Sequence, residues 1–171
     1  MDVRIRPYRL GDASIVCAAV RESIDEVQPW MPWCHPNYSE AESRAWLETQ
    51  VPAFVQGTAY EFAIVSGRDE YLGGCGLNQL DTMNRRANLG YWVRTSTARR
   101  GVATEAVHAL REWAFTHTNL IRLEILVAVD NAASRRVAEK SGATREGTLK
   151  SRLLLHGHLH DAVIYSFVRQ M

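Results

Sequence analysis

The segment Gly90-Tyr91-Trp92-Val93-Arg94-Thr95-Ser96-Thr97-Ala98-Arg99-Arg100-Gly101-Val102-Ala103-Thr104-Glu105-Ala106 joins a strand-like run to a helix-like one through small and basic residues. The first amides of a helix have no internal partner and carry the positive end of its dipole, so they suit a pyrophosphate. Gly101 lets a phosphate approach the backbone, and Ala103 keeps the next turn uncrowded. Arg99 and Arg100 offer charge-assisted contacts. A solvent-exposed loop before a helix packed by its small residues would read the same way. A second junction follows at Asp130-Asn131-Ala132-Ala133-Ser134. Asp130 or Asn131 caps the helix there, and Ser134 falls in its first turn with a hydroxyl near the open ends of two strands. A serine in that position also serves as a local backbone partner.

These junctions need strands and helices to hold them. Val3, Ile5 and Pro7 mark a first strand, and Ile15, Val16, Ala19, Val20, Ile24 and Val27 repeat at the spacing of one helix. Gln28-Pro29-Trp30-Met31-Pro32-Trp33 ends it in an aromatic loop. Ser39 with Glu42 forms a capping box for a second helix, whose stripe is Trp46, Leu47, Val51 and Phe54, with a kink or early end at Pro52. Strands are predicted over 61–65, 71–78 and 88–94, with a hairpin at Ser66-Gly67-Arg68-Asp69. A helix over 101–117 precedes a buried strand over 121–129, and a helix over 131–141 stops at Gly142. Strands over 149–155 and 162–168 close the chain. The order β-α-α-β-β-β-α-β-α-β-β implies an α/β fold, a mixed sheet flanked by helices, as one domain spanning residues 1–171.

The bulk composition narrows the classes of function. A chain of 171 residues with 46% hydrophobic and 23% charged residues is an ordinary globular protein. Its net charge of +1 provides no global field toward nucleic acid or an anionic membrane. No apolar run approaches a membrane span. Cys17, Cys34 and Cys75 are far apart and odd in number, so a reducing cytoplasm is expected. His156, His158 and His160 alternate along a hairpin, but without a fourth ligand at sensible spacing no metal is expected.

The motifs, taken together and in order, resemble the GNAT N-acetyltransferase superfamily, specifically its ribosomal-protein (RimJ/RimL-like) branch. The resemblance rests on Trp30-Met31-Pro32-Trp33, Leu89-Gly90-Tyr91-Trp92-Val93, Arg100-Gly101-Val102-Ala103-Thr104-Glu105-Ala106 and Asp130-Asn131-Ala132-Ala133-Ser134. Glu139-Lys140-Ser141-Gly142-Ala143, Arg145-Glu146-Gly147, and Asp161 shortly before Tyr165 extend it across nearly the whole chain. It implies a GNAT fold and acetyl-CoA as cosubstrate. The backbone of Trp92, Val93 and Arg94 would pair with the pantetheine arm, and amides of Arg99, Arg100, Gly101, Val102, Ala103 and Thr104 would hold the pyrophosphate. Asn131 would touch the arm near the thioester, and Ser134 would hydrogen-bond the departing thiolate. The sequence departs from the pattern at Ala98, where such loops usually carry Gln or Arg. It also has Leu153 and Asn88 at two positions where the branch often carries a glutamate.

An amine is mostly ammonium at pH 7 and must lose a proton before attacking a thioester. Glu124, Asp81, His108 and ordered water are the candidates to take it, Glu124 standing beside the cleft although an acid on a strand is more commonly paired with a nearby arginine. Trp30, Trp33 and Tyr38 fall where the fold covers the acceptor, as entrance lining or as core packing. The leading expectation is acetyl transfer by direct attack of a primary amine, most naturally a protein or peptide N-terminus. A small-molecule amine (aminoglycoside, polyamine or amino acid analogue) and a non-catalytic acyl-CoA-binding module are the alternatives. Homodimers are common in such folds, although no apolar stripe marks one here.

Overall fold

Alternation along the strands sorts the apolar side chains onto the two faces of one sheet in the computed structural model, which describes residues 2–170. The strands are β1 (Val3–Pro7), β2 (Tyr60–Ser66), β3 (Tyr71–Asp81), β4 (Arg86–Val93), β5 (Arg122–Ala128), β6 (Thr144–Leu155) and β7 (His158–Val168). The helices are α1 (Ala13–Glu22), α2 (Ile24–Val27), α3 (Glu40–Gln56), α4 (Val102–His117) and α5 (Ala132–Lys140). Phe62 and Ile64 of β2 join Val107, Leu110 and Ala114 of α4 in one core. Their neighbours Ala63 and Val65 join Val16, Val20 and Leu47 of α1 and α3 in the other. Period-two alternation therefore produces two hydrophobic layers from one strand. The mixed α/β architecture expected from the sequence is present; residues 1 and 171 lie outside the described range.

The strand order is β1-β2-β3-β4-β5-β7-β6. β4 and β5 are parallel, and every other neighbouring pair is antiparallel. The parallel pairing is short, covering only Arg86, Ala87 and Asn88 against Arg122, Leu123 and Glu124. β3 continues to hold β4 as far as Val93, while β7 holds β5 as far as Ala128. The two middle strands therefore part after Asn88, and a V-shaped gap opens in the sheet.

Two helical segments differ from expectation. The first predicted helix is interrupted at Ser23, between α1 and α2. The Ser23 hydroxyl donates to Ala19 O at 2.7 Å, a local bond that competes with helical geometry. α3, by contrast, runs through Pro52 to Gln56. Phe54 anchors its last turns, with ring centroids 5.4 Å from Tyr60, 5.2 Å from Phe62 and 5.6 Å from Trp113. Gly57 at φ +71 then closes the helix, with Thr58 N–H reaching Ala53 O at 3.0 Å. Tertiary packing outweighs the one amide and the crowding that proline introduces.

At the other end of α3 the capping box is present as the sequence implied: Glu42 N–H donates to Ser39 Oγ, and Ser39 N–H to Glu42 Oε2 at 2.9 Å. Ser39→Ala is expected to lower unfolding free energy by about 1 kcal/mol, read from urea denaturation as a lower midpoint with an unchanged m-value.

Candidate active site

Beyond Asn88 the edge of β4 that faces β5 has no strand partner. Arg94 N–H is already bonded to Leu72 O of β3 at 2.9 Å. Backbone groups alternate in direction along a strand, so Arg94 and Trp92 present theirs to β3, whereas Val93 and Tyr91 present theirs to the gap. Of Trp92, Val93 and Arg94, Val93 is the residue with its amide turned toward the opening; the extended geometry of β4 makes the correction for the other two. The gap is flanked by α4 and α5, which contact each other through His108 Nε2 and Ser141 O at 3.1 Å.

Gly101 occupies the N-cap of α4 at φ +80, a left-handed conformation suited to glycine, and no side chain caps the helix. The first amides of α4, from Val102, Ala103 and Thr104, are thus left for an external acceptor. Arg99 and Arg100 are exposed on the preceding turn. That turn is tied back to the first helices. Glu22 binds the Arg94 guanidinium and accepts from Ser96 N–H at 2.8 Å. Ser23 Oγ accepts from Thr95 N–H at 3.0 Å, and Glu26 accepts from Thr95 Oγ1 at 2.8 Å. The helix break at Ser23 therefore frees a hydroxyl to position the loop. The Arg94 guanidinium holds the Glu22 carboxyl down at about 2.

At the second junction, Asn131 caps α5 by accepting from Ser134 N–H at 3.0 Å. Tyr91 Oη donates to Ser134 O at 2.9 Å and lies 3.0 Å from Ser134 Oγ. The phenol proton can go to the carbonyl or to Ser134 Oγ, and in the second arrangement the serine proton is free to point into the cleft. Burial lifts the Tyr91 hydroxyl to about 12, so it remains a proton donor at neutral pH. Asn131 and Ser134 line a cleft of about 170 Å³ between β4 and β5, closed on its other side by Trp30, Met31, Leu153 and Leu155. Tyr91, whose partner role the sequence did not disclose, links β4 to the first turn of α5 across this cleft.

A larger cavity of about 540 Å³ lies on the α1 and α3 face of the sheet. Tyr8, Trp33, Tyr38, Trp46 and Trp92 surround it, with His35 and Glu42 at its edge. It shares Met31, Gly90 and Tyr91 with the cleft, so the two spaces adjoin. Trp33 and Tyr38 thus line the cavity, while Trp30 walls the cleft. The cavity also contains Glu61, which the sequence analysis did not single out. Its carboxylate lies over β3 at Gly76, where an added Cβ would overlap it. Asn78 Nδ2 reaches Glu61 Oε1 at 3.4 Å, and Asn88 Nδ2 donates to Asn78 Oδ1 at 2.9 Å. Burial pushes the Glu61 carboxyl up to about 7. One acid in an otherwise apolar strand, opposite a glycine-rich one, was the signal available for it.

The acids considered earlier are engaged elsewhere. Glu124 accepts from Arg122 Nε at 2.7 Å and Arg86 Nη1 at 3.1 Å, which favours its ion-pair reading. Asp81 is bonded to Asn84 and Arg86. His156 Nε2 lies 2.7 Å from Gln28 O, fastening the β6–β7 turn to the end of α2.

A family model described as the acetyltransferase (GNAT) domain matches residues 2–144. The chain belongs to this family. YdaF of Bacillus subtilis, named "Putative ribosomal N-acetyltransferase", is 37% identical over 171 residues, covering 98% of this chain and 92% of that protein. A ribosomal-protein-serine acetyltransferase of Escherichia coli is 29% identical, with coverage of 82% and 78%. Among solved structures, the RimL ribosomal L7/L12 α-N-protein acetyltransferase in complex with coenzyme A aligns with TM-score 0.86 at 24% identity, covering 98% of this chain and 94% of that one. The GNAT protein is thus an N-acetyltransferase of the RimJ/RimL-like branch. Among its described residues no helix is long and apolar enough to cross a membrane.

The Glu22 contacts have a measurable pH signature. A carboxyl held below its usual 4.5 contributes stability that is complete above that value and lost as pH falls toward about 2. In Glu22→Gln the fall of Tm between pH 4.5 and 2 is expected to be shallower than in the parent, followed by circular dichroism; Glu146, also held near 2, retains its own share.

Proposed function

We propose that this single domain of residues 1–171 is a cytoplasmic, acetyl-CoA-dependent N-acetyltransferase that acts by direct attack of a primary amine, with a protein or peptide N-terminus as acceptor. The observation that carries the cofactor reading is the unpaired β4 edge set against the uncapped N-terminus of α4. An amide-containing arm can extend the sheet along Val93, and a diphosphate can meet the amides of Gly101, Val102, Ala103 and Thr104 with Arg99 and Arg100 alongside. Asn131 keeps its Nδ2 for the arm while its Oδ1 caps α5. These donors fit the group's amides and its negative charge. When bound, acetyl-CoA supplies an acetyl group activated as a thioester.

The protein's own residues then position and polarise. A backbone N–H of β4 turned to the gap, from Tyr91 or Val93, would stabilise negative charge on the carbonyl oxygen. Ser134, oriented by Tyr91 and by its own capped amide, offers a hydroxyl to the leaving sulfur. Bringing the amine into the neighbouring cavity holds both reactants together, an effect worth up to roughly 7–11 kcal/mol of the barrier. Direct attack of this kind asks for no metal. The cavity offers the amine of a chain end room among aromatic rings. The relatives named for ribosomal proteins point the same way.

Saturating acetyl-CoA is expected to raise the thermal midpoint, whereas NAD and ATP at the same concentration leave it unchanged; no shift with acetyl-CoA would remove the cofactor reading. Ser134→Ala is expected to lower kcat by about 10²-fold with little change in acetyl-CoA affinity. Equal losses would place Ser134 in binding alone. Thiol release is then measured with peptides bearing free N-termini, aminoglycosides and polyamines. Turnover with peptides supports the N-terminal acceptor, turnover confined to the small amines replaces it, and background hydrolysis throughout favours a binding module.

A further inference from the structure

Glu61, Gly76 and Gly90 form one row across three strands, since Glu61 pairs with Gly76 and Gly76 pairs with Gly90. Neither glycine puts a side chain on the cavity side of the sheet. The Glu61 side chain uses that space, lying across β3 instead of rising from its own strand. Its carboxylate is thereby carried to within about one strand spacing, ~4.8 Å, of β4. Beyond β4 lies the cleft that contains Ser134. The Asn88–Asn78–Glu61 chain of hydrogen bonds fixes it in this direction.

The carboxylate also lacks a cation. Arg94 neutralises Glu22, Arg122 neutralises Glu124 and Glu146, Arg6 neutralises Asp12, and Arg86 pairs with Asp81. Among the described residues no arginine, lysine or histidine stands within ion-pair distance of Glu61. Its hydrogen-bonding partner is one long contact from a neutral amide. A carboxylate left unpaired among the rings of Tyr8, Trp33, Trp46 and Trp92 is costly alone and favourable once an ammonium group enters, because the ring faces also attract a cation.

Building on the acetyltransferase function proposed above, we propose that Glu61 binds the acceptor's ammonium group in the aromatic cavity and removes its first proton. The nitrogen lone pair then attacks the thioester carbonyl carbon as the C–N bond forms and the C–S bond breaks. The electron pair leaves on sulfur. The second nitrogen proton passes to that sulfur through the Ser134 hydroxyl, and the proton on Glu61 returns to solvent, so each turnover releases one proton. The groups on the cavity side around Glu61 are Tyr8 after β1, Asn78 of β3, and the His35–Glu42 pair of the α3 side, with Cys75 behind it on the opposite face of β3. Burial keeps the Tyr8 hydroxyl and the Cys75 thiol protonated. His35 is the other side chain at the cavity edge able to accept a proton, so it is the control residue.

The test uses a hexapeptide with a free N-terminal serine and compares the parent with Glu61→Gln, Glu61→Asp and His35→Asn. At pH 7, Glu61→Gln is expected to lose about 10²–10⁴ in kcat/KM, the range for general-base catalysis. That deficit is expected to shrink about tenfold by pH 9, because an α-amine with a pKa of about 8 then sheds its proton unaided. Glu61→Asp keeps the parent's pH profile at a reduced rate, and His35→Asn keeps it too. Without acetyl-CoA, quenching of cavity tryptophan fluorescence by the peptide is expected to require at least tenfold more peptide in Glu61→Gln. A deficit constant from pH 7 to 9, or unaltered peptide binding, overturns the role of Glu61 while leaving the acetyltransferase function standing. A parent protein that binds acetyl-CoA but acetylates no amine overturns both.

Discussion

The structure depends on a failure of strand pairing. β4 and β5 share only three residue pairs before β3 draws one strand away and β7 the other. Exposed backbone amides and carbonyls carry a free-energy cost unless they are paired with water, side chains or a ligand. The gap therefore confronts any extended, amide-bearing molecule with a ready-made partner edge. Parallel strands also require crossover helices, so the separation aims the start of α4 and α5 at the same opening. The cleft, the helix N-terminus and Ser134 are consequences of one divergence in the sheet.

The same divergence separates two chemical environments. On the α4 and α5 side stand backbone donors, the Asn131 cap and the Tyr91–Ser134 pair. On the α1 and α3 side stand aromatic rings and Glu61. Gly90, Tyr91 and Met31 form the partition between them. A nucleophile and an activated acyl group can thus approach from opposite faces of the sheet. Glycines make this possible, because a side chain at Gly76 would occupy the place of the Glu61 carboxylate.

A third feature links the two sides mechanically. Glu22, Ser23 and Glu26 all bond to the turn that precedes α4. α1 carries Val16 and Val20 of the cavity wall, so the wall and the turn share one set of hydrogen bonds. The break at Ser23 interrupts a helix that periodicity alone would continue. The hydroxyl that disrupts it is also the one that receives Thr95 N–H.

Local patterning determined much of this protein. The strand alternation, the Ser39–Glu42 box, the Gly142 stop and the two strand-to-helix junctions all act over a few residues, so their spacing is readable directly. Ordered motifs from residues 30 to 165 were sufficient to identify the family and to nominate Asn131, Ser134 and the turn before Gly101. Tertiary structure decided the rest. Pro52 stays helical because Phe54 meets three rings from distant segments, and Glu124 is neutralised by arginines from two strands. Tyr91 is joined to Ser134 only by folding, across 43 positions of sequence. Glu61 showed in the sequence only as a lone acid in an apolar strand, because its environment is built from β3, β4 and the first helices. Desolvation and the absence of a counter-charge are properties of a place in three dimensions, and no spacing along a chain encodes them.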